Sequence, residues 1–67
     1  MTIEDFMIRE KMTVNRAETQ AYVWYDRVSV NGIPITSPWF ELKLGDIVVL
    51  RPKDRGLQNS VYKEVLP

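Results

Sequence analysis

The feature that most constrains this chain is what it lacks, because its 67 residues include neither cysteine nor histidine. Without cysteine there is no disulfide to staple a small fold and no thiolate to hold zinc. Without histidine, the commonest metal ligand and the commonest general base are absent as well. A chain of this length buries only about 60% of its unfolded surface. We therefore expect one small domain that depends on a single apolar core.

A first helix is indicated near the start of the chain. Thr2 and Asp5 are spaced as a capping box, with Asp in place of the usual Glu. Glu4 and Asp5 also place negative charge in the first turn, where the helix dipole favours it. An apolar stripe at helical spacing is formed by Ile3, Phe6 and Met7. These signals predict a short helix over residues 3–10 and assign its first acids to capping.

A second capping box joins Asn15 to Glu18, and neither Gly nor Pro follows before Tyr25. The predicted helix has two distinct faces. One suits the core and carries Thr19, Tyr22 and Val23. The other carries Arg16, Gln20 and Trp24. We expect Tyr25 to be partly buried and Trp24 to be a partly exposed lid; the alternative is that Trp24 stacks on an unpaired base.

Beyond this helix, apolar residues recur at every second position, as in a β-strand. Asn31-Gly32, between alternating apolar residues, is the strongest short signal for a hairpin, because a type I′ turn needs positive φ at both central residues. Pro34 confines the returning strand to an edge. Gly45-Asp46 forms a second turn before a β-branched apolar run of strand length over residues 47–50.

Between and beyond these turns the pattern is less decisive. We expect Trp39 and Phe40 to lie in the core, because they lead into a strand that carries Leu42 and Leu44. Residues 61–65 fit either a last strand or part of a short helix. The order of helix, helix, hairpin, strand and tail predicts a small α+β domain.

The sequence carries no sign of catalysis. Helix capping explains the paired carboxylates, and no glycine belongs to a phosphate-binding loop. We therefore expect no enzyme, no cofactor, no metal site and no small-molecule substrate. No apolar run approaches the roughly 20 residues that span a bilayer, and the acidic start is unlike a signal peptide. A membrane partner and secretion are not expected.

Charge is balanced overall but not along the chain. Nine basic residues match nine acidic ones, which argues against indiscriminate nucleic-acid binding. Residues 1–26 carry three basic and five acidic residues, a balance of −2, whereas residues 27–67 carry six and four, a balance of +2. If capping occupies the early acids, three basic side chains are left to meet a partner: Arg9, Lys11 and Arg16. A second basic cluster is formed by Arg51, Lys53 and Arg55.

Five motifs follow one another from residue 3 to residue 50. They are an apolar helix with a late Arg (3–9), an Asn-Arg-Ala-Glu helix start (15–18), a Val-Ser-Val-Asn-Gly hairpin (28–32), a Ser-Pro loop (37–38) and a Gly-Asp turn before an apolar strand (45–49). In this order they resemble the RNA-binding domain family named after ribosomal protein S-four of the small subunit, the αL motif. The tail, with Arg51, Lys53, Arg55 and Leu57 at alternate positions, is similar to the stretch that follows this domain in the ribosomal protein itself.

The resemblance implies two N-terminal helices on a small, mainly antiparallel sheet. It implies an RNA-binding domain over residues 1–50 and a basic loop with a C-terminal extension of the same domain over 51–67. The implied partner is structured RNA, ribosomal RNA first, with neighbouring ribosomal proteins, and the implied location is the ribosome of the cytoplasm or an organelle. Together with the basic and aromatic positions above, this gives a set of candidate RNA-binding residues: Arg9, Lys11, Asn15, Arg16, Gln20, Trp24, Arg27, Arg51, Lys53 and Arg55. In the family, Arg16 holds the most regular basic contact position.

Several positions depart from the family's pattern. Asp26 replaces Gly after the second helix, where a left-handed residue is favoured. Thr19 replaces Ala, and Gln20 and Trp24 reduce the basic character of the RNA-binding face. Three alternatives remain: a stand-alone ribosome-associated heat-shock or quality-control factor, a protein-interaction domain that kept the fold but lost RNA binding, and a domain appended to a modifying enzyme.

Overall fold

A computed structural model gives the fold and describes residues 1–51 and 60–67. In this part of the chain the elements are α1 (Ile3–Arg9), α2 (Arg16–Trp24), β1 (Val28–Val30), β2 (Ile33–Pro34), β3 (Ile47–Leu50) and β4 (Val61–Glu64). The strands form one antiparallel sheet in the order β2-β1-β3-β4. Both helices contribute to the core on one face of this sheet. The predicted α+β class is confirmed.

Both helices begin at the predicted capping residues. The Oγ1 atom of Thr2 accepts a hydrogen bond of 3.2 Å from the N–H of Asp5. The Oδ1 atom of Asn15 accepts one of 2.8 Å from the N–H of Glu18. The carboxylate of Glu18 reaches back to the N–H of Val14 at 2.9 Å, which fixes the entry of the chain into α2.

Both helices end in a left-handed residue that is not glycine. Lys11 and Asp26 each have a φ of 60°. After α2, the N–H of Asp26 donates to the carbonyl of Val23 at 3.1 Å, and the N–H of Arg27 donates to that of Tyr22 at 3.0 Å. These are the paired hydrogen bonds of a Schellman motif. The left-handed position expected after the second helix therefore falls on Asp26.

The predicted hairpin joins β1 to β2. Asn31 and Gly32 have φ values of 52° and 83°, as a type I′ turn requires. Pro34 lies in the edge strand, where its missing N–H costs no ladder hydrogen bond. Residues 61–64, which fitted a strand or a helix, form strand β4, in which Tyr62 lies opposite Val49 of β3.

The two predicted turns are tied together by side chains. The amide nitrogen of Asn31 donates to Oδ1 of Asp46 at 3.0 Å, and the N–H of Lys43 donates to Oδ2 at 2.9 Å. These donors hold the pKa of Asp46 below its ordinary value, and the backbone of Lys43 has the larger effect. The hairpin and the turn before β3 are thereby held in one arrangement.

The core contains eleven buried apolar side chains from both helices, the sheet, the loop after β2 and the tail. They are Ile3, Phe6, Met7, Val23, Val28, Val30, Ile35, Leu42, Val48, Leu50 and Val65. The predicted core face of α2 is confirmed at Val23 and at Thr19, whose hydroxyl group is fully buried and lies 2.6 Å from that of Thr13. Tyr22 packs against the edge of this core.

The loop between β2 and β3 differs from the prediction. Trp39 is 66% exposed and Phe40 is 40% exposed, so their expected place in the core is wrong. Leu42 is buried as expected, but Leu44 is exposed, and no strand longer than an isolated bridge forms there.

Backbone hydrogen bonds to α1 explain the difference. The N–H of Ile3 donates to the carbonyl of Phe40 at 2.8 Å, and the N–H of Glu4 donates to that of Pro38 at 3.1 Å. The loop therefore turns its backbone toward the start of α1, and Pro38 is fully buried beneath it. Both aromatic rings are left on the outer side.

Candidate nucleic-acid interface

Arg16, the leading candidate, is held by two carboxylates of α1. Its guanidinium donates to Oε1 of Glu4 and lies 3.1 Å from Oδ1 of Asp5. The side-chain amide of Gln20 donates to Oε2 of Glu4 at 3.0 Å. Glu4 is only 3% exposed, so α2 occupies both oxygens of a buried carboxylate. The expectation that capping occupies Glu4 and leaves Arg16 unpaired is therefore wrong.

The charge around Arg16 is consequently not positive. The hydrogen bonds that Arg16 donates to Glu4 and then to Asp5 raise the pKa of Arg16 above its ordinary value. Two carboxylates here face one guanidinium. A phosphate group that approaches Arg16 must compete with both carboxylates, or bind those of the guanidinium's five N–H donors that the carboxylates leave unoccupied.

The first turn of α2 offers a second kind of donor. The N–H groups of Glu18 and Thr19 are bound by the side chain and the carbonyl of Asn15. Within residues 1–51 and 60–67, no protein acceptor binds the N–H groups of Arg16 and Ala17. Open N–H groups and the positive end of the helix dipole favour an anion at this place.

Arg9 and Lys11 lie at the other end of α1. The Nε atom of Arg9 donates to Glu10 at 3.2 Å, and its guanidinium lies 5.5 Å from the ring centre of Phe6. At 3.6 residues per turn, Arg9 is about 140° around the helix from Glu4. The structure therefore places Arg9 on a different flank of α1 from the side that holds Arg16, and it leaves Lys11 exposed at the helix end.

The C-terminal end of α2 gathers two arginines and two exposed rings. The Nη2 atom of Arg51 donates to the carbonyl of Asp26 at 2.5 Å, and the backbone N–H of Arg51 donates to the carbonyl of Arg27 at 2.8 Å. Trp24 is 67% exposed, and Tyr25 is 63% exposed, so the expected partial burial of Tyr25 is wrong. We call Trp24, Tyr25, Arg27 and Arg51 the α2 corner.

A cleft of about 420 Å³, open to solvent, lies beside the α2 corner. Its lining residues are Glu18, Ala21, Tyr22, Tyr25 and Arg27. Two tyrosines, one glutamate and one arginine therefore line the same small space. Tyr22 was predicted on the core face and Tyr25 to be partly buried, although their spacing of three residues on a helix was a usable signal that they share a face.

Other predictions concern the basic loop and excluded ligands. Lys53 and Arg55 lie outside the described residues. In the described parts of the chain, no three potential metal-ligating side chains come together. No helix there has the length and apolar character needed to cross a membrane.

One curated protein gives a direct comparison. The small ribosomal subunit protein uS4 of Pseudothermotoga lettingae is 33% identical to this chain over 55 residues. The similarity covers 82% of this chain but only 26% of uS4, so the chain spans about a quarter of the length of that relative. No protein-family profile matches the chain. The relative is a ribosomal protein and not an enzyme, and the similarity indicates a relationship to part of uS4.

Proposed function

We propose that this chain is an RNA-binding module of the uS4 type that binds structured ribosomal RNA and supports ribosome assembly. The observation that carries the proposal is the 33% identity to uS4 over 55 residues. Within the proposal, the chain acts at the ribosome of the cytoplasm or an organelle, beside other ribosomal proteins and without catalysis. The division into a domain over 1–50 and an extension over 51–67 belongs to the same proposal.

The two ends of α2 support RNA binding in different ways. At its start, two open backbone donors and the partly occupied Arg16 can hold one phosphate. At its end, the α2 corner provides the guanidinium groups of Arg27 and Arg51, together with the exposed rings of Trp24 and Tyr25. Phosphate contacts and ring stacking are the two main components of binding to folded RNA.

The proposed contact set includes every RNA-binding residue that the sequence predicts, now grouped by position in the fold. Asn15, Arg16 and Gln20 bind at the start of α2, and Arg9 and Lys11 lie on the flank beyond α1. Because net charge is zero, we expect recognition to depend on these local groups and not on a long-range attraction. The remaining proposed contacts are Trp24, Arg27, Arg51, Lys53 and Arg55.

The test is fluorescence anisotropy with a labelled ribosomal RNA junction and a simple duplex of equal length, over a salt series. We expect tighter binding to the junction, with a slope that corresponds to about three to five released counterions. Absence of binding to either RNA at low salt would refute the proposal.

A matched pair of charge variants locates the surface. Arg51→Gln should weaken binding and lower the slope by about one counterion. Lys43→Gln is the control, because Lys43 is an exposed lysine beside Asp46, before the start of β3, whereas Arg51 follows its end. Equal losses from both variants would show that binding follows total charge and not this surface.

One specific observation supports a second function, that of a protein-interaction domain. Four exposed apolar side chains lie in β2 and in the loop between β2 and β3: Ile33, Trp39, Phe40 and Leu44. Exposed apolar groups of this kind are found where proteins meet. If this is the function, the chain binds a protein partner, and that binding is insensitive to salt and is lost in the Trp39→Ser variant. The chain then does not bind RNA.

A further inference from the structure

Resting on the proposed function, we infer that the cleft beside the α2 corner binds one unpaired nucleobase of the RNA. In this arrangement the base stacks on Tyr25, and the phosphate of the same nucleotide lies near Arg27 and Arg51. The ligand is therefore RNA in which a base is out of the helical stack, and not a continuous duplex.

The shape of the cleft fits a flat ring. Tyr22 and Tyr25 are three residues apart on α2 and so project from the same side of the helix. Ala21 lies on this side too, and its small side chain leaves the space open. Tyr25 is 63% exposed, so its ring can accept a base without displacing part of the core. Stacking on an aromatic side chain is the commonest way in which proteins hold an unstacked base.

The polar groups of the cleft distinguish a base from other occupants. Glu18 and Arg27 both line the cleft; a carboxylate only accepts hydrogen bonds, and a guanidinium only donates them. A nucleobase has both donors and acceptors on its edge and can satisfy both groups. A phosphate has only acceptors and is repelled by Glu18, whereas an apolar side chain hydrogen-bonds to neither group.

The neighbouring structure holds these groups in position. One oxygen of Glu18 is fixed by the N–H of Val14 at 2.9 Å. Arg51 is anchored through two hydrogen bonds to the carbonyls of Asp26 and Arg27, and Arg27 itself lines the cleft. The neighbourhood of the cleft thus offers an acceptor, a stacking surface and positive charge, the three kinds of group that a nucleotide's base edge, base plane and phosphate require.

The experiment compares three RNA hairpins that differ at one position. The first carries a single bulged adenosine, the second has an abasic ribose at the bulge, and the third is fully paired. Binding is measured by anisotropy for the wild-type chain, for Tyr25→Leu and for Tyr62→Leu. Tyr62 lies on edge strand β4 and is 71% exposed, so it is a matched control for the loss of an exposed tyrosine. Thermal unfolding establishes that each variant is folded.

We expect the wild-type chain to bind the bulged hairpin roughly tenfold more tightly than the abasic or paired hairpin, the size of one stacking contact. Tyr25→Leu should abolish this preference, and Tyr62→Leu should keep it. Salt-sensitive binding to all three hairpins without preference would overturn the inference and leave the proposed function intact. A preference that survives in Tyr25→Leu would overturn it as well. No binding to any hairpin, and none to the ribosomal junction, would refute the proposed function itself.

Discussion

At the scale of single residues, the carboxylate of Glu4 determines the charge of the surface at the start of α2. It is buried, and it accepts hydrogen bonds from side chains 12 and 16 residues later in the chain, those of Arg16 and Gln20. From the sequence, Glu4 is predicted to take part in helix capping, because its position in the first turn fits that role. No local pattern distinguishes an acid that faces solvent from one that faces a neighbouring helix.

The Glu4→Gln variant should change the stability of the fold and its RNA affinity in opposite directions. We expect the free energy of unfolding to fall by about 1–2 kcal/mol, because charge-assisted hydrogen bonds become neutral ones. RNA affinity should rise, because one carboxylate no longer competes with phosphate for Arg16. Urea unfolding and anisotropy measure the two effects. Glu64→Gln, at an exposed position of β4, is the control for a general change of charge. Weaker RNA binding by Glu4→Gln would show instead that Glu4 positions Arg16 for the RNA.

Asp46 should make stability depend on pH in the acid range. Its pKa in the folded chain lies below the ordinary value of 3.8, because Lys43 and Asn31 donate hydrogen bonds to the charged form. The stabilisation is therefore complete above the ordinary pKa and is lost as pH falls through the folded pKa. Asp46→Asn should show a shallower loss of stability below about pH 4 in thermal unfolding. Parallel curves for the two proteins would contradict this role.

At the scale of secondary-structure elements, the sequence signals that correctly predicted helices and turns are local. Asn15 and Glu18 are three residues apart, and Asn31-Gly32 is a single dipeptide, so the chain needs no distant partner to form these structures. The prediction for the loop that carries Trp39 is wrong for the opposite reason. Its conformation is fixed by carbonyls that accept hydrogen bonds from the N–H groups of residues 3 and 4, and no alternation of apolar residues reveals such bonds.

The C-terminal end of α2 offers a stabilising substitution. Asp26 adopts a φ of 60° in the Schellman motif, a conformation that glycine adopts with less strain. Asp26→Gly should raise the free energy of unfolding by about 0.5–1 kcal/mol, whereas Asp26→Ala should lower it. Chemical denaturation measures both. A destabilised Asp26→Gly would mean that the aspartate side chain contributes more than its backbone conformation costs.

At the scale of the whole molecule, stability depends on very few side chains. A domain of this size has a free energy of unfolding of about 3–10 kcal/mol. Phe6 is fully buried at the centre of the core, and truncating a buried phenylalanine costs about 3–5 kcal/mol. Phe6→Ala should therefore lose a large part of the free energy of unfolding, unfold at a much lower temperature and bind RNA more weakly. Trp39→Ala, at an exposed position, should stay folded. Circular dichroism decides between these outcomes, and a folded Phe6→Ala with normal thermal stability would contradict the single-core description.

The hydrogen bonds between the start of α1 and the loop before β3 should also be visible in amide exchange with deuterated solvent. The first N–H groups of a helix have no partner within the helix and ordinarily exchange fast. Here those of Ile3 and Glu4 are bound by carbonyls of residues 40 and 38, so they exchange only when the loop separates from the helix or the whole domain unfolds. Their protection, compared with that of the amides of β3, measures how much more easily this loop opens than the domain unfolds.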